Sequence, residues 1–331
     1  MGALSYAELG IVLPKSGGEY IYIKEGLGDI PAFLYAWISI IVIRTASIAV
    51  VALTFGENMA TLFHYCGSPA LPIKLVAAVV IVTLGVINSY STSLAGRTQV
   101  IFTFVKLASL TVISIGGIVK LIQGNTDQFK NSFEGTTSLS NVAMSFYTAI
   151  FAYGGWQNIN FVTEELKNPV KALYAAAREG HFPEVLSYIH CKYYTPFPSI
   201  VFTIVISLFM VIPGDIGSLV DFLGFTTWLV YAMTVACLLI FRYTKKHVER
   251  PFKVPIVIPV LFVLICIYLV IAPLVENPQI EFLYATLSIV AGLIFYFPFV
   301  YFKVKIKGFE LLTTSVQLLC EVVPCPYEPE T

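Results

Sequence analysis

The residues that could do chemistry are few, and they stand in an otherwise apolar chain. The run from Phe146 to Pro169 starts as an apolar span and is interrupted by Gly154-Gly155. It ends in the charges Glu164, Glu165 and Lys167. Phe151, Ala152, Trp156 and Gln157 flank the glycine pair. Glycine pairs weaken a helix and let a ligand approach the backbone. In a bilayer, unwound backbone survives only where protein buries it or it lines a cavity. Two readings follow: a binding site in a broken transporter helix, or a glycine contact between packed membrane helices.

Two cations fall inside apolar stretches. Lys106 stands about two turns into one, where a lysine either serves a function or snorkels to the interface. Its ammonium could occupy the place of a coupling cation. Arg44, in Val42-Ile-Arg-Thr45, lies deeper and calls for a carboxylate, carbonyl or substrate partner within the bundle. Glu8 is a third ionisable residue in apolar surroundings. Cys66 is the one cysteine in a loop on the outer face. It reads as an intermolecular disulfide or as a free thiol.

The elements that must hold these residues are membrane helices. The 331 residues are 57% hydrophobic and 12% charged, with mean hydropathy +0.81. Soluble domains carry about twice that share of charge. Apolar stretches run over about 31–55, 73–87, 100–122, 139–162, 200–212, 219–241, 254–274 and 282–302, within a membrane domain of residues 1–308. Residues 1–13 read as the tail of a further helix, because they are about half the length a span requires. Pro14 to Ile30 reads as a polar loop. Residues 309–331 read as a cytosolic tail with apolar residues at helical spacing, able to dock on the membrane or the bundle.

Fifteen of the 20 Lys and Arg residues fall in alternate loops and the tail. The positive-inside rule puts that side in the cytosol. A net charge of zero gives no electrostatic case for nucleic acid. His181 with Glu179 and Glu184 reads as a solvated face rather than a metal site. No nucleophile–base pair, phosphate loop or dinucleotide fingerprint is present, so the sequence points to no enzyme, cofactor or metal.

Several motifs together resemble one family. They are Ala3-Leu-Ser-Tyr-Ala-Glu-Leu-Gly10, Lys15-Ser-Gly-Gly-Glu-Tyr20, Ile43-Arg44, Phe151-Ala-Tyr-Gly-Gly-Trp156, Phe161-Val-Thr-Glu-Glu-Leu-Lys-Asn-Pro169, Arg178-Glu-Gly-His181 and Arg250-Pro-Phe-Lys-Val-Pro255. They are similar to the light subunits of heteromeric amino-acid transporters, in the amino acid–polyamine–organocation superfamily, and within it to the b(0,+)-type and aromatic-preferring branches. The resemblance implies an all-α polytopic membrane protein with an incomplete LeuT-like bundle of inverted repeats. It implies sodium-independent exchange of neutral, aromatic or cationic L-amino acids at the plasma membrane. It also implies a disulfide from Cys66 to a single-span glycoprotein heavy subunit, rBAT-like or related.

The same resemblance assigns roles. Phe151 matches the aromatic that closes over the substrate. Ala152, Gly154 and Gln157 match the unwound sixth helix, with Gly155 and Trp156 beside them. Lys106 matches the lysine that replaces a sodium site. The b(0,+) pattern has an acidic residue at the Gly154 place, and its absence here favours neutral and aromatic substrates. Two departures stand out. The first helix of the family pattern has no counterpart, and Asn168-Pro-Val-Lys-Ala-Leu-Tyr-Ala-Ala-Ala-Arg178 runs straight from the sixth helix into the loop before the ninth. A short form that only captures a heavy chain is the alternative to a working transporter.

Overall fold

The computed structural model describes residues 1–13, 17–62, 70–124, 139–156, 188–193, 195–276, 279–302 and 309–323. These residues are helical almost throughout, in accord with an all-α polytopic membrane protein. In chain order they form α1 (Gly2–Val12), α2 (Glu19–Leu27), α3 (Asp29–Trp37), α4 (Arg44–Leu62), α5 (Ala70–Tyr90) and α6 (Thr92–Ile122). Then come α7 (Leu139–Tyr153), α8 (Phe197–Val211), α9 (Ile216–Thr244), α10 (Val257–Glu276), α11 (Ile280–Phe295) and α12 (Phe309–Cys320). Among the described residues the only sheet is an antiparallel ribbon of β1 (Ile189–His190) and β2 (Val322–Val323). It ties the tail to the segment that leads into α8.

Six helical stretches are long and apolar enough to cross a membrane: 29–62, 70–90, 93–122, 216–244, 257–276 and 280–301. The first is a single rod. A π-helical turn over Ile38–Ile43 joins α3 to α4 without breaking it. A second π turn, Tyr296–Tyr301, follows α11 and contains Pro298, which has no N–H to give to a regular α ladder. Over the stretch read as 200–212, α8 has 15 residues and carries Pro198 in its first turn.

The expected loop between Pro14 and Ile30 is corrected by α2, which fills Glu19–Leu27, and by α3, which opens at Asp29. Polar Lys24 and Glu25 hide α2 in a hydropathy reading. Its other face buries Tyr20, Tyr22 and Ile23, and that burial is what stabilises a helix too short to hold alone.

The core is arranged around α9. That helix packs on α1, α2, α4, α7, α10 and α11. Asp215 caps its start by accepting from the Ser218 N–H at 3.3 Å. Gly224 admits a close neighbour: a Cβ there would lie 2.5 Å from Cγ of Tyr147 on α7. Tyr147 in turn donates its hydroxyl proton to the Leu269 carbonyl at 2.8 Å. Pro273, inside α10, cannot supply the N–H that this carbonyl would take four residues on. The tyrosine thus satisfies the carbonyl that the proline leaves open.

In contrast, α6 is exposed over nearly its whole length, with every side chain from Val100 to Gly124 on the surface. It packs chiefly on α5.

Candidate functional site

The glycine pair ends a helix. α7 stops at Tyr153, Gly154 and Gly155 form a turn, and Gly155 takes φ +102°, a conformation that side chains with a Cβ rarely adopt. At such an end the last-turn carbonyls are met by turns, side chains, water or ligands rather than by the next turn of helix. The helix dipole makes such an end attractive to a cation such as an ammonium group. Tyr153 is 81% exposed, and both glycines are exposed.

Trp156 is placed directly after the break, half-buried against an aromatic wall. Its ring lies 4.9 Å from Tyr6 on α1, 4.8 Å from Tyr231 on α9 and 6.2 Å from Phe262 on α10. Gly2, one turn before Tyr6, makes room for it, since a Cβ there would come within 2.6 Å of the indole. The wall continues to Trp228, 5.8 Å from Tyr231 and 6.5 Å from Phe262. The Trp228 indole N–H is buried and has no acceptor among the described residues. Buried indole donors usually find a partner, so this one is an open donor. Sequence reasoning missed Trp228, Tyr231 and Tyr6. The signal available was only their aromatic character within apolar stretches.

The wall itself is buried, with Tyr6 and Tyr231 1% and 3% exposed, and what the break presents at the surface is the backbone of Gly154-Gly155 beside half-buried Trp156. Among the described residues no group of three His, Cys, Asp or Glu side chains could hold a metal ion.

Of the other expected site residues, Lys106 and Arg44 are on other helices. Phe151 and Ala152 are in the last turn of α7. Gln157, Cys66 and the His181 segment lie outside the described residues. Lys106 is exposed on α6. Arg44 is exposed just after the π turn of the 29–62 rod and forms no ion pair among the described residues, although its charge reaches Tyr35. Among the described cysteines, Cys191, Cys237, Cys266 and Cys320 are free thiols.

Two buried carboxylates near the wall were not read as a pair from sequence. Glu8, on α1 and fully buried, binds Arg242 through two contacts, 2.6 and 3.1 Å. It also meets Arg250 at 3.3 Å and accepts from the Val254 N–H at 2.8 Å. Glu19, 6% exposed at the start of α2, forms no ion pair among the described residues. The Tyr6 hydroxyl donates to it, and Tyr35 is its other hydrogen-bond partner.

The amino acid permease family profile matches residues 1–173 and 169–299. This chain belongs to the amino acid permease family. The permease is 36% identical to the mouse (Mus musculus) b(0,+)-type amino acid transporter 1, an alignment that covers 100% of this chain and 84% of the relative. It is 33% identical to the human (Homo sapiens) cystine/glutamate transporter, over 98% of this chain and 81% of that one. To the human large neutral amino acids transporter small subunit 2 it is 32% identical, over 98% and 76%. Permeases move solutes and are not enzymes, as the absence of a nucleophile or acid–base pair in the sequence suggested. The mouse alignment runs over 410 positions against 331 residues, so 79 positions of that relative have no counterpart here. The two family matches meet at residues 169–173.

Proposed function

We propose that this permease carries amino acids across the plasma membrane by alternating access, as the light subunit of a disulfide-linked heterodimer. The observation that carries the reading is the end of α7 at Gly154-Gly155, opened by the φ of Gly155 beside an aromatic wall. A free amino acid offers an ammonium group for the carbonyl end of α7 and a side chain for the apolar residues beside it. Relatives that align with the whole chain are named for amino-acid transport, and one is named a small subunit. On this reading the fold is a LeuT-like bundle with its C-terminus in the cytosol. The substrates are neutral and aromatic L-amino acids in exchange, because no acidic residue stands at Gly154. Lys106 takes the place of a sodium ion, and Cys66 joins a single-span glycoprotein heavy subunit.

The test is uptake into liposomes holding the chain and a heavy subunit, preloaded with neutral amino acids. Trans-stimulated, sodium-independent uptake that Phe151→Ala abolishes without changing the amount of protein supports the reading. Uptake unaltered by Phe151→Ala sinks the assigned site. Loss of a reducible heterodimer in Cys66→Ser supports the linkage.

Two observations favour a second reading, in which this form captures a heavy chain without transporting. The bare flanks of α6 and the 79 unmatched positions of the mouse relative are what a bundle short of partner helices would leave. A heterodimer with no uptake in the same liposomes supports it.

A further inference from the structure

Glu8 and Glu19 are the two buried carboxylates among the described residues, and they are held in opposite ways. Glu8 is matched by Arg242 and Arg250. Glu19 is matched by two phenols and by no cation among the described residues. Its surroundings can be named element by element. α1 offers Tyr6, and α3 offers Tyr35, which also bonds Ser39. α9 brings Tyr231 within electrostatic reach of Glu19, and Thr234 bonds Tyr6. Four described cations on neighbouring elements have other contacts. Arg44 reaches Tyr35, Lys245 pairs with Glu25 at 2.8 Å, and the two arginines are held by Glu8.

Burial without a counter-ion favours the neutral carboxyl, while hydrogen bonds from phenols favour the carboxylate. Here burial is the larger influence and holds Glu19 above the usual carboxylate range, with Tyr6 and Tyr35 pulling the other way. These opposed influences depend on three helices meeting. If α1 or α3 moved off α2, water would reach the carboxyl and its ordinary acidity would return.

We propose that Glu19 is a proton-binding site, loaded when α1, α2 and α3 close on it and unloaded to water when they part. The step is a single protonation: the carboxylate takes one proton from water, and the neutral carboxyl keeps hydrogen bonds with the two phenols. The closed packing is therefore favoured in acid and loses that support as pH rises through the raised Glu19 value. The proton's role in the transport cycle rests on the transport reading above. The site itself does not.

The test separates the two. The full chain in lipid nanodiscs is titrated from about pH 8 to about pH 5 while the infrared carbonyl band of protonated carboxyl groups is followed. The expected result is a component of that band that grows in acid and is lost in Glu19→Gln. A band that is the same in Glu19→Gln overturns the proposal. Tyr35→Phe keeps the carboxylate and removes one donor to its charged form, so the midpoint should move to higher pH. An unmoved midpoint also counts against the proposal, and this variant serves if Glu19→Gln does not fold. In liposomes that show exchange, the wild-type rate should change with pH and the Glu19→Gln rate should stay flat. Equal pH dependence in both would remove the link to transport. A chain with no exchange at all would sink the transport reading, and the infrared arm would still decide the site.

Discussion

Arg242, near the end of α9, grips Glu8 of α1 through two nitrogens across 234 residues of sequence. The same carboxylate holds Arg250 and the Val254 N–H. One buried anion thus fixes the helix that presents Gly2 and Tyr6 to Trp156, and does so from two residues beyond Tyr6. Removing one partner of a buried ion pair strands the other and costs about 3–5 kcal/mol. Glu8→Gln should therefore lower the thermal midpoint of the detergent-solubilised protein sharply. Arg242→Gln should cost less when added to Glu8→Gln than alone. Additive losses would mean that the contact is incidental.

The glycine break makes a second demand on the backbone. Gly155 at φ +102° should resist any residue with a Cβ, at a cost of about 1–3 kcal/mol. Gly2→Val pushes instead on the Trp156 ring, so it should shift tryptophan fluorescence. Gly116→Ala, on the exposed face of α6 with open space around it, is the control. Equal behaviour of the three in thermal unfolding would contradict the close approach of α1 to the break.

The cap on α9 gives a pH-dependent expectation outside the membrane spans. The Asp215 carboxyl lies below the usual carboxylate range, chiefly because the Ser218 side chain hydrogen-bonds it. A depressed folded value means that the cap stabilises above the ordinary aspartate pKa and fades as pH falls through the folded value. Asp215→Ala should cost about 0.5–2 kcal/mol at neutral pH and progressively less in acid. Asp215→Asn should keep much of the cap and show little pH dependence. Unfolding midpoints of the three proteins across that range decide it.

Much of this architecture was legible in the sequence, for physical reasons that also mark where legibility ended. Six long apolar helices announce themselves because lipid tolerates little charge over a span. The glycine break was legible because two adjacent glycines in an apolar run have few structural uses. α2 was hidden because Glu19, Lys24 and Glu25 lower its hydropathy while tertiary packing stabilises it. The partner of Glu8 was hidden because ion pairs across 234 and 242 residues leave no local pattern. Arg44 looked like the cation that would need a buried partner. The buried pairs formed instead at Arg242 and Arg250, which read as ordinary loop charges.

The last expectation concerns α7 and α10, which hold the break in place. Tyr147 donates to Leu269 because Pro273 cannot. Tyr147→Phe leaves a buried carbonyl with neither partner and should cost about 1–3 kcal/mol. Pro273→Ala restores an N–H four residues beyond Leu269, so in that background the carbonyl has its helical donor back. The penalty of Tyr147→Phe should then shrink toward the loss of one hydroxyl contact. A double-mutant cycle in thermal unfolding measures the difference. A Tyr147→Phe cost that is the same with and without Pro273 would show that the hydroxyl acts independently of the proline.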